Sequence, residues 1–560
     1  MEQIIKNILV FVVIISSTSC KKTNSKSINN SRPLISLQAS LISASPFTFK
    51  FIATASDADN DPLKFTWNFG EGTTKEGSAQ ENFTYPDNNE YTVKATVTDG
   101  KTAPVDASIN ISTKIVTVTI NRNLQYQTIE GFGGFGAQDV PWSSGPFTSA
   151  GYMSRLLDLG VSIIRDEVPT NFEYTNDNAD PFVTDLSKYN LNTAIAGEHN
   201  PLGTRLQFFK DAKAAGINTF IASVWSPPYW MKTNNRLDNG TPNNSAPPYN
   251  PNPTAANNQL RTDMYNEFAE MCVAYVKILK QETGIDLYAF SIQNEPRFSQ
   301  SYQSCVYNGE AMRDLLKVVG KRFMDEGLTT KLFLPEDVGW LGGVESMIKP
   351  TLDDAVARQY ASIVAVHGYD LDGITAGSAN ALTWQTMYSW GAAYNKPLWM
   401  TETSGYSNDW KGAMELSKAM YTALRFGNTS AWIFWTLSTS NLDEFSLMSS
   451  SGTKSSRYYV SKNFYRYIHP GARRVNADAL EISKIFPLAF LHDANMETTI
   501  VLINDNNSAS AIKLSGTGLP AQFTQYNTTA TDNCIDAGTV NSADNILLPA
   551  NSVVTLYYKN

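Results

Sequence analysis

The sequence is poor in the residues that build metal centres and disulfide frameworks. Its 560 residues include only four cysteines and four histidines. Once Cys20 is set aside with the N-terminal segment, Cys272, Cys305 and Cys534 remain, an odd number at wide spacings with no C-x-x-C pair. Neither a metal site nor a disulfide scaffold is therefore expected. A bridge between Cys272 and Cys305 and buried free thiols both stay open.

Basic charge is scarce as well. Lysine and arginine number 44 against 53 aspartates and glutamates, which gives a formal net charge of -9. Such a chain offers no basic surface to neutralise phosphates, so nucleic acid is not expected as a partner. Aromatic residues are abundant instead, at 11% with eleven tryptophans. This composition suits stacking on sugar rings as well as core packing.

The first twenty residues have the pattern of an export signal. Lys6 precedes an apolar run over residues 8–15, and small residues then lead to Cys20. The run is too short to span a bilayer stably. The position of Cys20 resembles a bacterial lipobox, in which residues 1–19 are the signal peptide and the cysteine is lipidated; an uncleaved anchor is the alternative. We expect a secreted lipoprotein, anchored to the outer membrane or cell surface, with residues 20–33 as a polar linker.

Residues 34–113 predict a small β-sandwich. Short alternating strands such as FTFKFIATA and YTVKATVTDG are separated by turn residues, and Trp67 is the expected core aromatic. The run SDADNDPLKFTWNFGEG, followed by YTVKATVTDG, resembles an immunoglobulin-like PKD domain. It departs from that family at Glu71, where Asp is usual. The resemblance implies a spacer or protein contact rather than a catalytic domain.

One turn of this domain is rich in acidic residues. Asp57, Asp59 and Asp61 have a spacing that suggests a calcium loop. Pro62 stands where a loop of the EF-hand type needs Gly, and Asn68 stands where it needs a bidentate Glu. A solvated acidic turn is therefore favoured over a calcium site.

Residues 128–460 predict a barrel of alternating strands and helices. The strand candidates are IEGFGGFG, VSIIRDEV, TFIASVWS, LYAFSIQNE, KLFLPED, IVAVHGY, PLWMTET and SAWIFWT. Amphipathic helical stretches such as residues 262–283 and 309–327 lie between them. Eight such repeats predict an α/β fold, a (β/α)8 TIM barrel, rather than an open doubly wound sheet. Residues 114–127 and 461–560 are strand-like and are expected to form one β-sandwich on the barrel's side.

The stretch QTIEGFGGFGAQDVPW contains a G-x-G-x-x-G pattern at Gly131, Gly133 and Gly136. In a dinucleotide-binding turn this pattern opens directly into a helix, whose N-terminal amides bind the pyrophosphate. Pro141 and Pro146 forbid a continuous helix here. We interpret the glycines as packing devices of the first barrel strand, and no cofactor is expected.

Barrel enzymes place their catalytic side chains at the C-terminal ends of the strands. The polar and aromatic residues at these positions are Asp139, Trp142, Arg165, Trp225, Asn294, Glu295, Glu336, His367, Tyr369, Glu402 and Trp435. They include no Ser-His-Asp order and no Cys-His pair. Carboxylates, tryptophans and one arginine dominate, a set that favours chemistry on sugars.

Two of the carboxylates are placed to act as a pair. Glycosidic cleavage requires one carboxylic acid to protonate the leaving oxygen and a second carboxylate to attack or to activate water. Glu295 and Glu402 follow strands four and seven and can face each other across a sugar. An isolated glutamate at either position would be an ordinary rim residue, but the pair, with aromatic neighbours, favours catalysis.

Supporting groups are expected around this pair. Asn294 is predicted to bind the 2-hydroxyl of the sugar, Arg165 and Tyr369 to keep Glu402 ionised, and Trp435 to stack beneath the ring. The other predicted substrate-binding residues are Asp139, Trp142, Trp225 and His367. A structural salt bridge for Arg165 and a satisfied core histidine for His367 are the alternatives.

The motifs IEGFGGFG, SVWSPPYWMK, FSIQNEP, HGY and WMTETSG, in this order, resemble glycoside hydrolase family 30, a clan A family of retaining enzymes. The resemblance covers roughly residues 114–560. It implies that Glu295 of the N-E-P motif is the general acid/base and that Glu402 is the nucleophile of a double displacement. We then expect a carboxyl separation of about 5 to 5.5 Å, a raised pKa for Glu295 and an ionised Glu402.

The substrate is predicted less sharply. Two segments are similar to the xylanase branch of the family, namely LYAFSIQNEPRFSQSYQSC and SPPYWMKTNN. That branch recognises glucuronic acid on xylan with basic side chains in the loop after strand eight. Here that loop has Asp443 and Glu444 and no nearby arginine. We expect an endo-β-1,4-xylanase for neutral or lightly decorated xylan, followed by a β-1,6-glucanase or galactanase and then an exo-β-glycosidase.

Two other classes of protein are weighed against the enzyme. A carbohydrate-binding protein that lost turnover would lack a carboxylate, yet Glu295 and Glu402 are both present. A cofactor-dependent oxidoreductase has no support once the glycine pattern is interpreted as packing. The expected partners are a polysaccharide or oligosaccharide and, through the lipid, a membrane.

Overall fold

The computed structural model describes most of the chain, namely residues 30–86, 89–136, 150–170, 172–193, 201–239, 258–338, 341–369 and 381–560. The signal segment with Cys20, and the predicted site residues Asp139 and Trp142, lie outside these ranges. The chain forms two compact units, the second of which includes Thr113–Asn560.

The first unit is the predicted N-terminal β-sandwich. Its strands are β1 (Leu34–Ala44), β2 (Phe47–Ser56), β3 (Lys64–Asn68), β4 (Thr74–Gly77), β5 (Gln80–Tyr85), β6 (Glu90–Thr98) and β7 (Val105–Ser112). They form one sheet of order β1-β2-β5 and another of order β4-β3-β6-β7. Phe51 of one sheet packs on Trp67 of the other, with ring centroids 6.1 Å apart. Trp67 is fully buried, as predicted.

In the second unit, the long segment Thr113–Asn560 starts with β8 (Ile115–Thr128) and forms a closed barrel. The barrel strands are β9 (Gly131–Phe135), β10 (Ile163–Val168), β11 (Thr219–Val224), β12 (Ala289–Ser291), β13 (Lys331–Asp337), β14 (Ala361–His367), β15 (Leu398–Glu402) and β16 (Ala431–Phe434). Each strand pairs in parallel with its neighbours along the chain, and β16 closes the barrel against β9. The predicted TIM barrel is confirmed, with each strand at its expected place.

The barrel interior is a packed core. The strands are buried on both faces, which is why they have continuous apolar runs rather than an alternating pattern. Inward side chains such as Ile163, Ile221, Phe333, Trp399 and Ile433 form one buried layer. The residues that follow this layer along each strand therefore emerge at the C-terminal end of the barrel.

Helices cover the outside of the barrel. They are α1 (Tyr152–Leu159), α2 (Leu206–Ala214), α3 (Tyr265–Thr283), α4 (Gly309–Asp325), α5 (Leu341–Asp353), α6 (Ala355–Tyr360), α7 (Ala381–Ala392), α8 (Trp410–Phe426) and α9 (Ser456–Tyr465). Capping side chains mark the starts of two of the long helices. The side chain of Asn308 accepts from the amide of Ala311 at the start of α4, and Asp409 accepts from Gly412 at the start of α8.

The side β-sandwich joins the two ends of this unit. The loop after β16 holds a ribbon of β17 (Ser438–Thr439) and β18 (Met448–Ser449), and the chain then continues through β19 (Arg473–Asp478), β20 (Ile485–His492), β21 (Glu497–Asn504), β22 (Ser510–Ser515), β23 (Gln522–Thr528), β24 (Asn533–Asn541), β25 (Asn545–Leu548) and β26 (Ser552–Lys559). Strands β19 to β26 form one sheet together with β8, in the order β24-β23-β26-β21-β20-β19-β8-β22-β25. The segment before the barrel thus pairs with the C-terminal strands, as predicted.

Cys272, Cys305 and Cys534 are buried free thiols. Of the two alternatives that the sequence left open, free thiols are correct. Within the described ranges, no helix combines the length and apolar character needed to cross a bilayer.

The glycines of β9 are close-packing residues. A Cβ on Gly133 would lie 1.8 Å from the backbone oxygen of Ile163 on the adjacent strand. The same atom on Gly134 would lie 2.7 Å from the side chain of Leu437 and 2.8 Å from the backbone oxygen of Phe434. A strand backbone cannot move aside as a side chain can, and the contact at Gly133 is the shorter, so Gly133 is the more constrained of the two.

We predict that Gly133→Ala destabilises the barrel by about 3 kcal/mol or more, because β9 and β10 must separate to admit the methyl group. Gly342→Ala is the matched control, since an added Cβ there meets nothing within 4 Å in α5 and should change stability by less than about 1 kcal/mol. Denaturant unfolding of both variants measures the difference. Equal stabilities would contradict the packing interpretation.

Candidate active site

Six polar side chains meet at the C-terminal end of the barrel. Glu336, His367 and Glu402 lie at or next to the last residues of β13, β14 and β15, Arg165 lies within β10, and Asn294 and Glu295 lie in the turn after β12. All six are at most 8% exposed. The parallel strands bring together residues that are up to 237 positions apart in the sequence.

Arg165 lies at the centre of this group. Its guanidinium donates to Glu402 Oε2 at 2.5 Å, to Asn294 Oδ1 at 2.7 Å and to Glu336 Oε1 at 3.0 Å. It also lies over the indole of Trp225, 4.8 Å from the ring centroid. Because its side chain is fully buried, nearly all of its charge is balanced by these neighbours rather than by water.

Both oxygens of Glu402 are held by donors. Oε2 accepts from Arg165, and Oε1 accepts from the hydroxyl of Tyr369 at 2.7 Å. Hydrogen bonds to an ionised donor such as a guanidinium are shorter and stronger than neutral ones. This arrangement therefore fixes the orientation of the Glu402 carboxyl group.

Glu295 is held on the opposite side by a histidine. His367 Nδ1 lies 3.1 Å from Glu295 Oε1 and 3.8 Å from Glu402 Oε1. One oxygen of Glu295, one of Glu402 and a ring nitrogen of His367 all lie within 4.8 Å of one another. The two carboxyl groups thus approach closely, with the imidazole bridging them.

The environments of the two carboxyl groups differ. Burial raises the pKa of Glu295; the hydrogen bond from His367 opposes this rise, and the negative charge of Glu402 adds to it. Among the described residues, Glu295 has no hydrogen bond from a guanidinium or a tyrosine hydroxyl like those that Glu402 accepts. The raised pKa of Glu295 and the two donors on Glu402 suit the two carboxyl groups to separate acid and nucleophile roles.

Glu336 and His367 carry opposite charges beneath this pair. Burial raises the pKa of Glu336, but the charge of Arg165 and the nearby imidazolium of His367, 3.8 Å away, outweigh it and lower that pKa to about 2. Burial lowers the pKa of His367, but the charge of Glu402, the hydrogen bond to Glu295 and the nearby carboxylate of Glu336 raise it to about 10. Two cations, Arg165 and His367, therefore balance two anions, Glu336 and Glu402, when Glu295 is protonated.

This charge pattern also bears on metal binding. Glu295, His367 and Glu402 have ligand-type atoms close enough to surround an ion. The imidazolium has no free lone pair to offer, and the adjacent guanidinium repels cations. The donor set fits proton transfer better than metal coordination.

The backbone at two of these residues is unusual. Glu295 and Glu336 have φ angles of 47° and 52°, in the left-handed region that is costly for residues with a Cβ. The amide of Glu295 donates to the carbonyl of Glu336 at 2.9 Å. This bond ties the turn after β12 to the end of β13 and thereby orients both carboxyl groups.

Aromatic rings form a wall of the site. Trp435, just after β16, lies 4.4 Å from Phe135 and 5.9 Å from Trp225 between ring centroids. Trp225 is 6% exposed, whereas Trp435 is partly exposed. Trp435 is thus the ring of this group that can offer a face to a sugar.

The structure brings together eight of the ten predicted catalytic and substrate-binding residues, namely Arg165, Trp225, Asn294, Glu295, His367, Tyr369, Glu402 and Trp435. The other two, Asp139 and Trp142, lie outside the described residues. Two residues of the site were not predicted from the sequence. Glu336 was found at a strand end but given no role, and Phe135 has an apolar side chain that offers no chemical signal.

Comparison with known proteins identifies two domains. Residues 188–359 match O-Glycosyl hydrolase family 30, and residues 30–113 match the PKD domain. The hydrolase match includes Glu295 and ends before Glu402. The assignment of Glu402 to the same site therefore depends on the barrel geometry.

Individual relatives agree with this match. Glucuronoxylanase XynC of Bacillus subtilis (strain 168) is 24% identical over 404 residues, which cover 70% of this chain and 78% of that protein. Endo-1,6-beta-D-glucanase neg1 of Aspergillus fumigatus is 28% identical over 288 residues, 48% of this chain and 55% of that protein. The structure of Xyn30A, a family 30 subfamily 8 xylanase of Clostridium acetobutylicum, has the same fold, with a TM-score of 0.61 and 23% identity over 79% of this chain and 100% of that chain.

Residues 188–359 thus resemble a family 30 hydrolase, and residues 30–113 resemble a PKD domain. The predicted enzyme class, a glycoside hydrolase, is confirmed by the matched domain and these relatives.

We predict that the His367 imidazole stays protonated to about pH 9, given its pKa of about 10. The folded pKa exceeds the ordinary value of 6.5, so this charge stabilises the fold fully below pH 6.5 and progressively less as the pH rises to about 10. A ¹⁵N-edited NMR titration of the histidine side chains, with His367 assigned by its absence in His367→Gln, measures this directly. In Glu336→Gln the pKa should fall toward 6.5. A wild-type His367 that titrates near neutral pH would contradict the charge balance.

Proposed function

We propose that the protein is a retaining, endo-acting β-glycoside hydrolase that cleaves xylan, with Glu402 as nucleophile and Glu295 as general acid/base. The observation that carries this proposal is the asymmetry of the two carboxyl groups. Glu402 has each oxygen held by a charged or hydroxyl donor. Glu295 has its pKa raised by burial and by the charge of Glu402.

The first step of the proposed reaction forms a glycosyl ester. A Glu402 oxygen attacks the anomeric carbon while the glycosidic C–O bond breaks and Glu295 gives its proton to the departing oxygen. Water then attacks the same carbon, gives a proton to Glu295, and releases Glu402 as a carboxylate. Two inversions give net retention, and every group returns to its starting state.

The electrostatic link between the two carboxyl groups helps both steps. The charge of Glu402 raises the pKa of Glu295 before the reaction, which keeps the acid protonated. Once Glu402 has become an uncharged ester, that contribution is lost and the pKa of Glu295 falls. Glu295 is then suited to act as the base that the second step needs.

The spacing of the carboxyl groups supports retention over inversion. Oxygens of Glu295 and Glu402 lie within 4.8 Å of each other. Retaining enzymes have carboxyl groups about 5 to 5.5 Å apart, whereas inverting enzymes need about 6.5 to 9.5 Å to admit water. The approach seen here fits direct attack by Glu402.

Xylan is supported by the Bacillus subtilis relative, whose name specifies a glucuronoxylanase. The loop after β16 differs from a site built for an acidic branch. The buried arginine that follows this loop, Arg457 of α9, turns inward and donates to Asn408 Oδ1 at 2.5 Å and to the carbonyl of Ser446 at 2.7 Å. Glu444 is exposed on the same loop. We propose that neutral xylan segments are preferred to glucuronate-bearing ones.

A β-1,6-glucan is the second candidate substrate. The Aspergillus fumigatus relative, an endo-1,6-beta-D-glucanase by name, supports it. The catalytic assignment is unchanged for either polymer, since both need the same two carboxyl groups.

The cellular setting is proposed from the N-terminal segment. Lipidation at Cys20 would hold the enzyme at the outer membrane or cell surface after export, with the PKD domain as a spacer between lipid and barrel. Metabolic labelling with a fatty-acid analogue tests this, because label should appear in the wild type and be lost in Cys20→Ala.

Substitution of each carboxyl group should give a distinct kinetic defect. Glu402→Gln removes the nucleophile and should lower kcat by about 10⁴-fold or more while substrate still binds. Glu295→Gln removes proton transfer and should cost about 10² to 10⁴-fold on polysaccharide, with a smaller loss on aryl glycosides whose leaving group needs no proton. It should also abolish the loss of activity at high pH. Equal losses on both substrates, or an active Glu402→Gln, would contradict the roles.

Hydrolysis products across a panel of β-glycans test the substrate. We expect internal cleavage of neutral xylan, at a rate at least equal to that on glucuronoxylan, and no release of single sugars from chain ends. ¹H NMR of the initial products should show the β-anomer first. Exclusive cleavage of β-1,6-glucan would favour the second candidate, and an initial α-anomer would exclude retention.

A further inference from the structure

A second group of carboxylates lies apart from the catalytic pair, between α3 and the segment that follows β10. This segment packs on the helix through Phe172, whose ring lies 5.6 Å from that of Tyr275 and 4.9 Å from that of Tyr189. The Trp230 indole further fixes it by donating to the carbonyl of Glu173 at 3.1 Å. The segment is thus anchored around its acidic residues.

Glu173 and Glu270 are the most deeply buried members of this group. They are 1% and 0% exposed. Within the described part of the chain, both carboxylate oxygens of each residue lack a hydrogen-bond partner. One oxygen of Asp177 and one of Glu267 are buried and unpartnered in the same sense. Glu267 and Glu270 are three residues apart on α3, which places them on one face of that helix.

The negative charges act on one another. Burial, followed by the charges of Asp177, Glu270 and Glu267, raises the pKa of Glu173 to about 9. Burial also raises the pKa of Glu270 to about 7. The nearby side chain of Thr184 opposes this rise, and the negative charges of Asp177 and Glu267 add to it. These carboxylates therefore share one region of low dielectric.

The nearby guanidinium of Arg322 already donates hydrogen bonds to other groups. Arg322 opposes the rise in the pKa of Glu270. Its guanidinium donates to Glu326 Oε1 at 3.0 Å, to the carbonyl of Pro181 at 2.8 Å and to the hydroxyl of Thr184 at 3.2 Å. One shared guanidinium does not balance four carboxylates.

Protonation alone would leave the carboxyl groups of Glu173 and Glu270 without hydrogen-bond partners. A neutral carboxyl group still has a hydroxyl donor and a carbonyl acceptor that need partners when buried. Among the described residues neither Glu173 nor Glu270 has a hydrogen-bonded group to meet them. A bound cation would satisfy both the charge and the oxygen lone pairs.

We propose that Glu173, Asp177, Glu267 and Glu270 form a binding site for a divalent cation of the calcium type. Calcium takes six to eight oxygen ligands in flexible geometry and accepts a mixture of carboxylates and water. No three of these carboxylates have oxygens all within 4.8 Å of one another in the described structure. The ion would therefore draw the segment after β10 closer to α3.

The site has a structural consequence for the rim of the barrel. Tyr174, next to Glu173, lies 5.5 Å from Tyr229 between ring centroids. Tyr229 belongs to the segment that starts at Trp225 of the active site. A cation at Glu173 would thereby fix two loops at the C-terminal end of the barrel. This inference does not depend on the catalytic assignment.

Thermal unfolding of the full-length protein, stripped of metal with EDTA, tests the site. Adding millimolar CaCl₂ should raise the unfolding midpoint by about 5 °C, as expected for a ligand that binds only the folded state well above its Kd. Glu173→Gln and Glu270→Gln should abolish this rise. Both variants should unfold at or above the midpoint of the metal-free wild type, because each replaces a buried carboxyl group, whose ionisation there is costly, by a group that stays neutral.

Two matched variants make the outcome specific. Glu310→Gln changes an exposed glutamate on α4 and should keep the full rise. Asp59→Asn alters the turn of Asp57, Asp59 and Asp61, whose carboxylates lie within 4.8 Å of one another, and should keep it too. A rise lost only in Asp59→Asn, or retained in Glu173→Gln, would overturn the proposal. So would a wild type whose midpoint responds to pH alone and not to CaCl₂.

Discussion

The buried guanidinium of Arg165 is the interaction on which the rest of the site depends. It is fully buried and holds Glu402, Asn294 and Glu336 within 3.0 Å. A buried cation is tolerated only when its partners compensate for lost hydration, and removal of one partner of such a pair costs about 3–5 kcal/mol. The strand ends that supply these partners are thus fixed relative to one another, and the position of Glu402, the proposed nucleophile, follows from that constraint.

His367 extends the same charge balance to the second carboxyl group. Its imidazolium lies between Glu295 and Glu336 and near Glu402. Because the two cations already balance Glu336 and Glu402, a third negative charge at Glu295 is disfavoured. The same arrangement therefore raises the pKa of Glu295, the proposed general acid, and holds Glu402, the proposed nucleophile, by two donors. The left-handed backbone at Glu295 and Glu336 is held by the hydrogen bond that joins them.

Much of this site could be predicted from the sequence, because strand periodicity locates strand ends and a barrel brings those ends together. Arg165, Glu295, His367 and Glu402 were found in this way. The role of Glu336 could not be found, since its importance comes from contacts with Arg165 and His367 that no local pattern encodes. The acidic group at Glu173 was also missed, because the helical spacing of Glu267 and Glu270 resembles an ordinary solvated face until burial is known.

The central claim is that Glu402, held by Arg165 and Tyr369, attacks the sugar directly. A 2-deoxy-2-fluoro β-glycoside with a good leaving group slows breakdown of the glycosyl ester and lets it accumulate. Mass spectrometry of the intact protein and of its peptides then measures where the sugar is attached. We predict one sugar per chain, on the peptide that contains Glu402. Attachment to another residue, or turnover with inversion and no attached sugar, would contradict the account.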